Sequence, residues 1–186
     1  MKKIGIIIGS LRKKSYARKW AENMLELYPK DFEVEIIEVG ELPFYNEEFD
    51  EEGPLPGAVK AFREELEMID GFLFVTSEYN RSIPPALKNA LDIGSRPYAS
   101  TKWAKKPALI VSHSISKLGG FGANHHLRQV LAFLDMPTVG QPEIYLGNSS
   151  QAFDEKGKII DSSTIELLLK AVDSHVDLVR RFEMKR

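Results

Sequence analysis

Ile4-Gly5-Ile6-Ile7-Ile8-Gly9-Ser10-Leu11-Arg12-Lys13-Lys14-Ser15-Tyr16-Ala17-Arg18 decides how the rest of the chain is read. Its first third is apolar and β-branched without alternation, the pattern of a parallel strand buried on both faces. Ala17 to Leu27 then reads as a helix. Between them lies a loop of small, hydroxyl and basic residues. A strand that passes through such a loop straight into a helix presents unpaired N–H groups and partial positive charge at one point, where an anion can settle. Ser10 and Ser15 supply hydroxyls there and Arg12 supplies charge. Ser15 is also a suitable helix cap, and on the loop alone both readings stand.

Similar units follow. Phe32 to Val39 reads as a strand near a sheet edge. Gly40 to Pro56 is a loop rich in Pro, Gly and acidic residues that also holds Leu42, Phe44, Tyr45 and Phe49. Ala58 to Met68 is a predicted helix and Gly71 to Thr76 a buried strand. Pro84 and Pro85 suit the first turn of a helix that reaches about Ser95. Pro107 to Ser112 reads as a fourth strand, and Gly119-Gly120 precedes a helix over about Asn124 to Leu134. Thr138 to Tyr145 reads as a fifth strand. Asp161 or Ser162 caps a last helix, which reaches about Phe182. Strands and helices in alternation predict one α/β domain: a flavodoxin-like, doubly wound, five-stranded parallel sheet of order 2-1-3-4-5. Ligands of such sheets bind beyond the carboxyl ends of the strands, where the order reverses. That singles out the loops after the first, third and fourth strands.

Composition narrows the functions. The chain has 186 residues, a formal net charge of −2 and no cysteine. Near-neutral charge gives no reason to expect nucleic acid. The missing thiols exclude disulfides and Cys-ligated metal. No secretory or membrane-spanning run is visible, so the expectation is a cytoplasmic protein without membrane insertion. His125 and His126 are adjacent on a predicted helix and point apart, which favours a surface or interface role over metal ligation. Glu47, Glu48, Asp50, Glu51 and Glu52 read as a solvated loop in preference to a cation site. Ser112-His113-Ser114 lacks a nucleophile elbow and an acid partner. Lys88 and Asp92 are spaced to pair on one helix face. Arg128 is open between a nicotinamide phosphate and a helix-surface or subunit contact.

The third-strand loop carries Ser77-Glu78-Tyr79-Asn80, then Ser82, Pro84, Leu87-Lys88-Asn89-Ala90 and Asp92. Together with Gly9-Ser10-Leu11-Arg12-x-x-Ser15 and with Lys117-Leu118-Gly119-Gly120 followed by Leu127-Arg128-Gln129, this resembles the NADPH-dependent FMN reductase family, which includes quinone and chromate reductases and azoreductases. The likeness runs from Ile4 to about Pro142. It implies that Ser10, Arg12, Ser15, Tyr16 and Ala17 hold the phosphate of FMN. It further implies that Glu78, Tyr79 and Asn80 lie along the isoalloxazine, with backbone amides at its polar edge, and that Ser114, Gly119 and Gly120 flank the ring. Glycine would serve there by letting a flat ring approach the backbone. NADPH or NADH would be the donor and a small molecule the electron acceptor: a quinone first, otherwise an azo compound, a metal oxyanion or free flavin. A shared face implies ping-pong exchange, with no strictly catalytic residue. A homodimer or homotetramer is implied as well; Phe44, Tyr45, Phe49, Tyr98 and Trp103 are candidate contacts for it, and equally candidates for a lid or ordinary packing. The chain departs from the family pattern at Ser77 (usually Pro), Lys14 (often Gly), Ala17 (often Asn) and Pro85 (often Gly). The competing expectation is a flavodoxin-like electron carrier that does not oxidise NAD(P)H efficiently.

Overall fold

The β-branched run near the start forms an interior strand of the sheet. In the computed structural model, which describes residues 1–51 and 54–182, β1 (Lys2–Ile8) pairs in parallel with β2 (Phe32–Ile37) on one side and β3 (Gly71–Ser77) on the other. β4 (Ala108–His113) and β5 (Ile144–Leu146) extend the sheet in the order β2-β1-β3-β4-β5. The expected architecture is present. α1 (Tyr16–Leu25) and α5 (Ser162–Arg181) cover one face; α2 (Gly57–Glu67), α3 (Pro85–Gly94) and α4 (Phe121–Phe133) cover the other.

Alternation along β1 divides the core. Ile4, Ile6 and Ile8 pack with Trp20, Met24, Val75 and Val172 beneath α1 and α5. Ile7 packs with Phe62, Phe72, Phe74 and Leu87 on the opposite face. With both faces covered, strands have no polar side to show, which is why they read as unbroken apolar runs.

One expectation needs correction, and one open choice closes. The fifth strand is shorter than the span Thr138 to Tyr145. Val139 donates to the Ala108 carbonyl at 2.9 Å, but pairing lapses over Gly140, Gln141 and Pro142 and resumes at Ile144. Pro142 has no N–H to give to a ladder. Trp103, open in the sequence to interface, lid and ordinary packing alike, takes the packing role. It is fully buried against Phe62, Phe72 and Phe74, and its Nε1 donates to the Leu91 carbonyl at 2.8 Å. Tyr45 and Phe49 also fold back against this core, leaving Phe44 and Tyr98 exposed.

Asp161, one of the two expected caps, holds the start of α5 by accepting from the Thr164 N–H at 2.8 Å. Hydrogen bonds from Thr164 and Ser163 pull its carboxyl down to about 2. In the acidic loop, Asp50 binds the Arg63 guanidinium at 2.6 and 3.1 Å. Burial opposes its charge, yet hydrogen bonds from Arg63 and Tyr45 hold the carboxyl below its usual range. Glu52 lies outside the described residues. No helix among the described residues is long and apolar enough to cross a membrane.

Candidate functional site

β1 delivers the chain to its carboxyl end, where the Gly9 N–H still bonds to the Val75 carbonyl at 2.9 Å. A Cβ at Gly9 would stand 3.1 Å from Thr76 Oγ1 and 3.3 Å from Pro84 Cγ, so the first and third loops meet closely here. Ser10 Oγ accepts from the Arg12 N–H at 3.4 Å. Ser15 is the cap of α1: its Oγ accepts from the Arg18 N–H at 3.0 Å, and its hydroxyl proton stays available for donation. The N–H groups of Tyr16 and Ala17 begin the helix and have no acceptor within it. Ala17 is fully buried, and the Tyr16 ring stacks parallel to Phe153 with centroids 6.4 Å apart. Of these two residues, then, it is the backbone that faces the loop.

Arg12, Lys13, Lys14, Arg18 and Lys19 line a 430 Å³ cavity whose wall also includes Glu22. Arg18 is already held by Glu38, at 2.6 and 2.8 Å. Arg12, Lys13 and Lys14 are exposed and in no ion pair among the described residues. A helix N-terminus with three such cations suits a doubly charged anion.

After β3 the chain makes a tight turn. Tyr79 and Ser82 exchange both backbone hydrogen bonds at 2.9 Å, and Asn80 and Arg81 take left-handed φ values of 50° and 68°. Two left-handed central residues make this a type I′ turn. The Tyr79 N–H is consumed inside the turn and cannot serve as one of the expected donors; its side chain is half exposed. The Glu78 carboxylate turns toward α4, accepting from the Ala123 N–H at 3.1 Å and pairing with Arg81 at 3.1 Å. A Cβ at Gly122 would lie 3.0 Å from both Glu78 Oε2 and the Arg81 carbonyl. Gly122 is therefore needed for the turn to dock on α4, a role that sequence reasoning missed and that its place in the first turn of a helix does not advertise.

The loop after β4 closes the third side. The Ser114 N–H donates to Leu146 and its hydroxyl to the Ser116 carbonyl, at 3.0 and 2.9 Å. Gly119 and Gly120 have φ values of 61° and 77°. Their small size has a cause other than the approach of a ring. A Cβ on Gly119 would stand 2.5 Å from the Tyr145 carbonyl carbon, and one on Gly120 would stand 3.0 Å from the His113 carbonyl oxygen. Ser112 donates to the Gly119 carbonyl at 2.9 Å, so its hydroxyl is structural rather than nucleophilic.

His113 is buried, and desolvation pushes its imidazole down to about 4. Nδ1 contacts Ser149 Oγ at 3.3 Å, while Nε2 has no partner. Ser77 Oγ is also unpartnered, and Ser77 lies directly across the β3–β4 ladder from His113. Among the described residues, the two buried side-chain atoms without a partner thus lie on one rung at the carboxyl end of the sheet.

Other candidates resolve as structural contacts. Arg128 donates to Asn124 Oδ1 and to the Val139 carbonyl, each at 3.0 Å. Lys88 and Asp92 pair at 2.7 Å, His126 meets Ser82 at 2.7 Å, and His125 meets the Tyr145 hydroxyl at 2.9 Å. Among the described residues no cluster of His, Cys, Asp or Glu is arranged to hold a metal.

A family model described as NADPH-dependent FMN reductase matches residues 2–151. A quinone reductase of Pseudomonas putida is 50% identical over 160 residues, covering 86% of each chain. A 2-hydroxy-1,4-benzoquinone reductase of a Burkholderia species is 37% identical over 178 residues, covering 96% of each. The flavoenzyme NAD(P)H:(acceptor) oxidoreductase FerB from Paracoccus denitrificans superposes with a TM-score of 0.91 at 30% identity, covering 99% of this chain and 100% of that one.

Proposed function

The chain belongs to the NADPH-dependent FMN reductase family and is an oxidoreductase working with FMN and a nicotinamide cofactor; we propose that it passes electrons from NADPH or NADH to a quinone at the carboxyl ends of β1, β3 and β4. When bound, FMN supplies the redox chemistry, accepting hydride from the nicotinamide and giving two electrons to the acceptor. The net change is NAD(P)H, a proton and a quinone going to NAD(P)⁺ and a hydroquinone. The observation that carries this reading is the α1 N-terminus ringed by Arg12, Lys13 and Lys14, which suits a phosphate.

The Tyr16 and Ala17 N–H groups, the Ser10 and Ser15 hydroxyls and the Arg12 guanidinium hold that phosphate. Lys14 adds charge where Ala17 offers no polar side chain. The Tyr79 ring and the backbone of Glu78 and Asn80 lie along the isoalloxazine, and the Ser114, Gly119 and Gly120 segment closes its other side. These residues bind and orient, and none acts as acid, base or nucleophile. Donor and acceptor use one open face in turn, so NAD(P)⁺ leaves before the quinone enters. The names of the related reductases support a quinone ahead of an azo compound, a metal oxyanion or free flavin.

We also propose a homodimer or homotetramer. Tyr98 and Phe133 are 73% and 79% exposed, and both line a 730 Å³ groove that takes residues from α3 and α4. The proposed compartment is the cytoplasm, in line with a chain free of cysteine.

The test is spectral. Purified protein should show or acquire flavin absorbance with FMN, bleach under anaerobic NADPH or NADH, and recover colour on adding a quinone. Loss of NAD(P)H oxidation before the quinone is added, with flavin bound, would return the protein to the electron-carrier class.

A further inference from the structure

Phe44, in the loop between β2 and α2, is 80% exposed, yet the backbone on both sides of it is fixed. Asn89 on α3 uses both ends of its amide to fix it. Oδ1 accepts from the Tyr45 N–H at 2.8 Å, and Nδ2 donates to the Pro43 carbonyl at 2.8 Å. Tyr45 is secured again by its hydroxyl, which reaches Asp50 at 3.0 Å, and Asp50 is held by Arg63. Ordering a loop residue costs conformational entropy, and a ring left in solvent returns little burial for it.

A cavity gives that ring a use. Phe44 shares about 380 Å³ with Leu11, Arg12, Leu42, Tyr79 and Pro84. Small-molecule pockets commonly span about 300–1,000 Å³. The walls are mostly apolar, Arg12 is the charged group, and the Asn89 amide is already occupied. Arg12 and Tyr79 also tie the cavity to the phosphate loop and the ring-side turn. A flat, uncharged ring gains from such walls; a hydrated metal oxyanion loses water there, and the one charged donor it meets, Arg12, is the group assigned to the flavin phosphate.

We infer that this cavity is the acceptor's subsite, that Phe44 is the wall against which a quinone ring stacks, and that Asn89 is the positioning residue that keeps Phe44 there. The inference rests on the flavin-reductase reading and adds to it the residue that selects quinones over oxyanions.

The test compares Phe44→Ala, Phe44→Tyr and Asn89→Ala with the wild type, each loaded with FMN. Four quantities are measured: kcat and KM for 1,4-naphthoquinone, the rate with ferricyanide, the FMN dissociation constant by fluorescence, and naphthoquinone binding to the oxidised protein by calorimetry. Sedimentation reports the assembly. Phe44→Ala should raise both the quinone KM and its dissociation constant by about tenfold, the scale of a lost ring contact. Its ferricyanide rate, FMN affinity and assembly should stay unchanged. Phe44→Tyr should restore quinone binding, and Asn89→Ala should raise the quinone KM while keeping kcat. Unchanged quinone binding in Phe44→Ala overturns the inference. So does a parallel fall in FMN affinity, which would put the flavin itself in the cavity, or a change of assembly, which would make Phe44 a subunit contact. A wild type that binds no FMN fails at the earlier step and overturns both readings.

Discussion

The two ends of the parallel sheet treat polar atoms in opposite ways. At the amino end each buried polar side chain among the described residues has a partner. The Tyr28 hydroxyl meets His175 Nδ1 at 2.8 Å, and His175 Nε2 faces the Pro107 carbonyl at 3.3 Å. A carbonyl only accepts, so Nε2 carries the proton and Nδ1 accepts from Tyr28, leaving a neutral ring fully engaged. Asp70 accepts from the Lys3 N–H at 2.8 Å, and the buried Lys106 ammonium donates to the Leu66 carbonyl. At the carboxyl end, Ser77 Oγ and His113 Nε2 are buried without partners, while Arg12 and Tyr79 stand in solvent. An unsatisfied buried polar group costs about 1–3 kcal/mol. One end of the molecule therefore holds the fold together, and the other is arranged to hold something else.

That division can be broken from either side. Trp103→Ala empties a site packed on Phe72 at the start of β3, with ring centroids 4.9 Å apart. It should cost about 3–5 kcal/mol of stability in denaturant titrations while leaving the FMN affinity of the folded fraction intact. A large loss of FMN affinity would show that the two ends are not separable. Arg12→Ala is the opposite case. FMN binding should weaken by about 1.5–3 kcal/mol, tenfold to a hundredfold, with the unfolding of the flavin-free protein unmoved. Equal affinity in a fluorescence titration would remove Arg12 from the site.

Tyr28→Phe should destabilise by about 1–3 kcal/mol by leaving His175 Nδ1 unpaired; FMN titration should report the wild-type value. The smallest effect per group is set by pH. Burial holds both His113 and His175 down to about 4, against an ordinary 6.5. Each stays neutral in the folded protein but takes up a proton on unfolding below pH 6.5. Stability is thus full above that pH and falls as pH drops from 6.5 toward 4, by at most about 1.4 kcal/mol per pH unit for each histidine. His175→Gln should roughly halve the slope between pH 6 and 5. An unchanged slope would place the uptake elsewhere.

The order of elements is legible in the chain because strands buried on both faces are written as continuous runs such as Ile6-Ile7-Ile8 and Phe72-Leu73-Phe74-Val75. The three loops are legible because their glycines, hydroxyls and bases fall where such strands end. What escapes is the destination of individual hydrogen bonds. Asn89 resembles any amide on a helix surface, and its partners lie 44 and 46 positions away in sequence. The Tyr79 N–H is lost to a turn through Asn80 and Arg81, and only the first of these is a common left-handed residue. Trp103 follows a polar stretch, and the sequence leaves interface, lid and ordinary packing open until its indole finds the core. Gly140-Gln141-Pro142 interrupts a strand whose apolar pattern continues on both sides.

That last interruption matters beyond the single chain. A sheet that ends in a long unpaired strand offers neighbouring molecules a template for edge-to-edge growth. Here the strand at one of the two edges is three residues long, Ile144–Leu146, with a proline two positions before it. Little unsatisfied backbone remains at that edge for a second chain to copy, and the longer edge strand on the opposite side, β2, carries the charged Glu33 and Glu35 along its length.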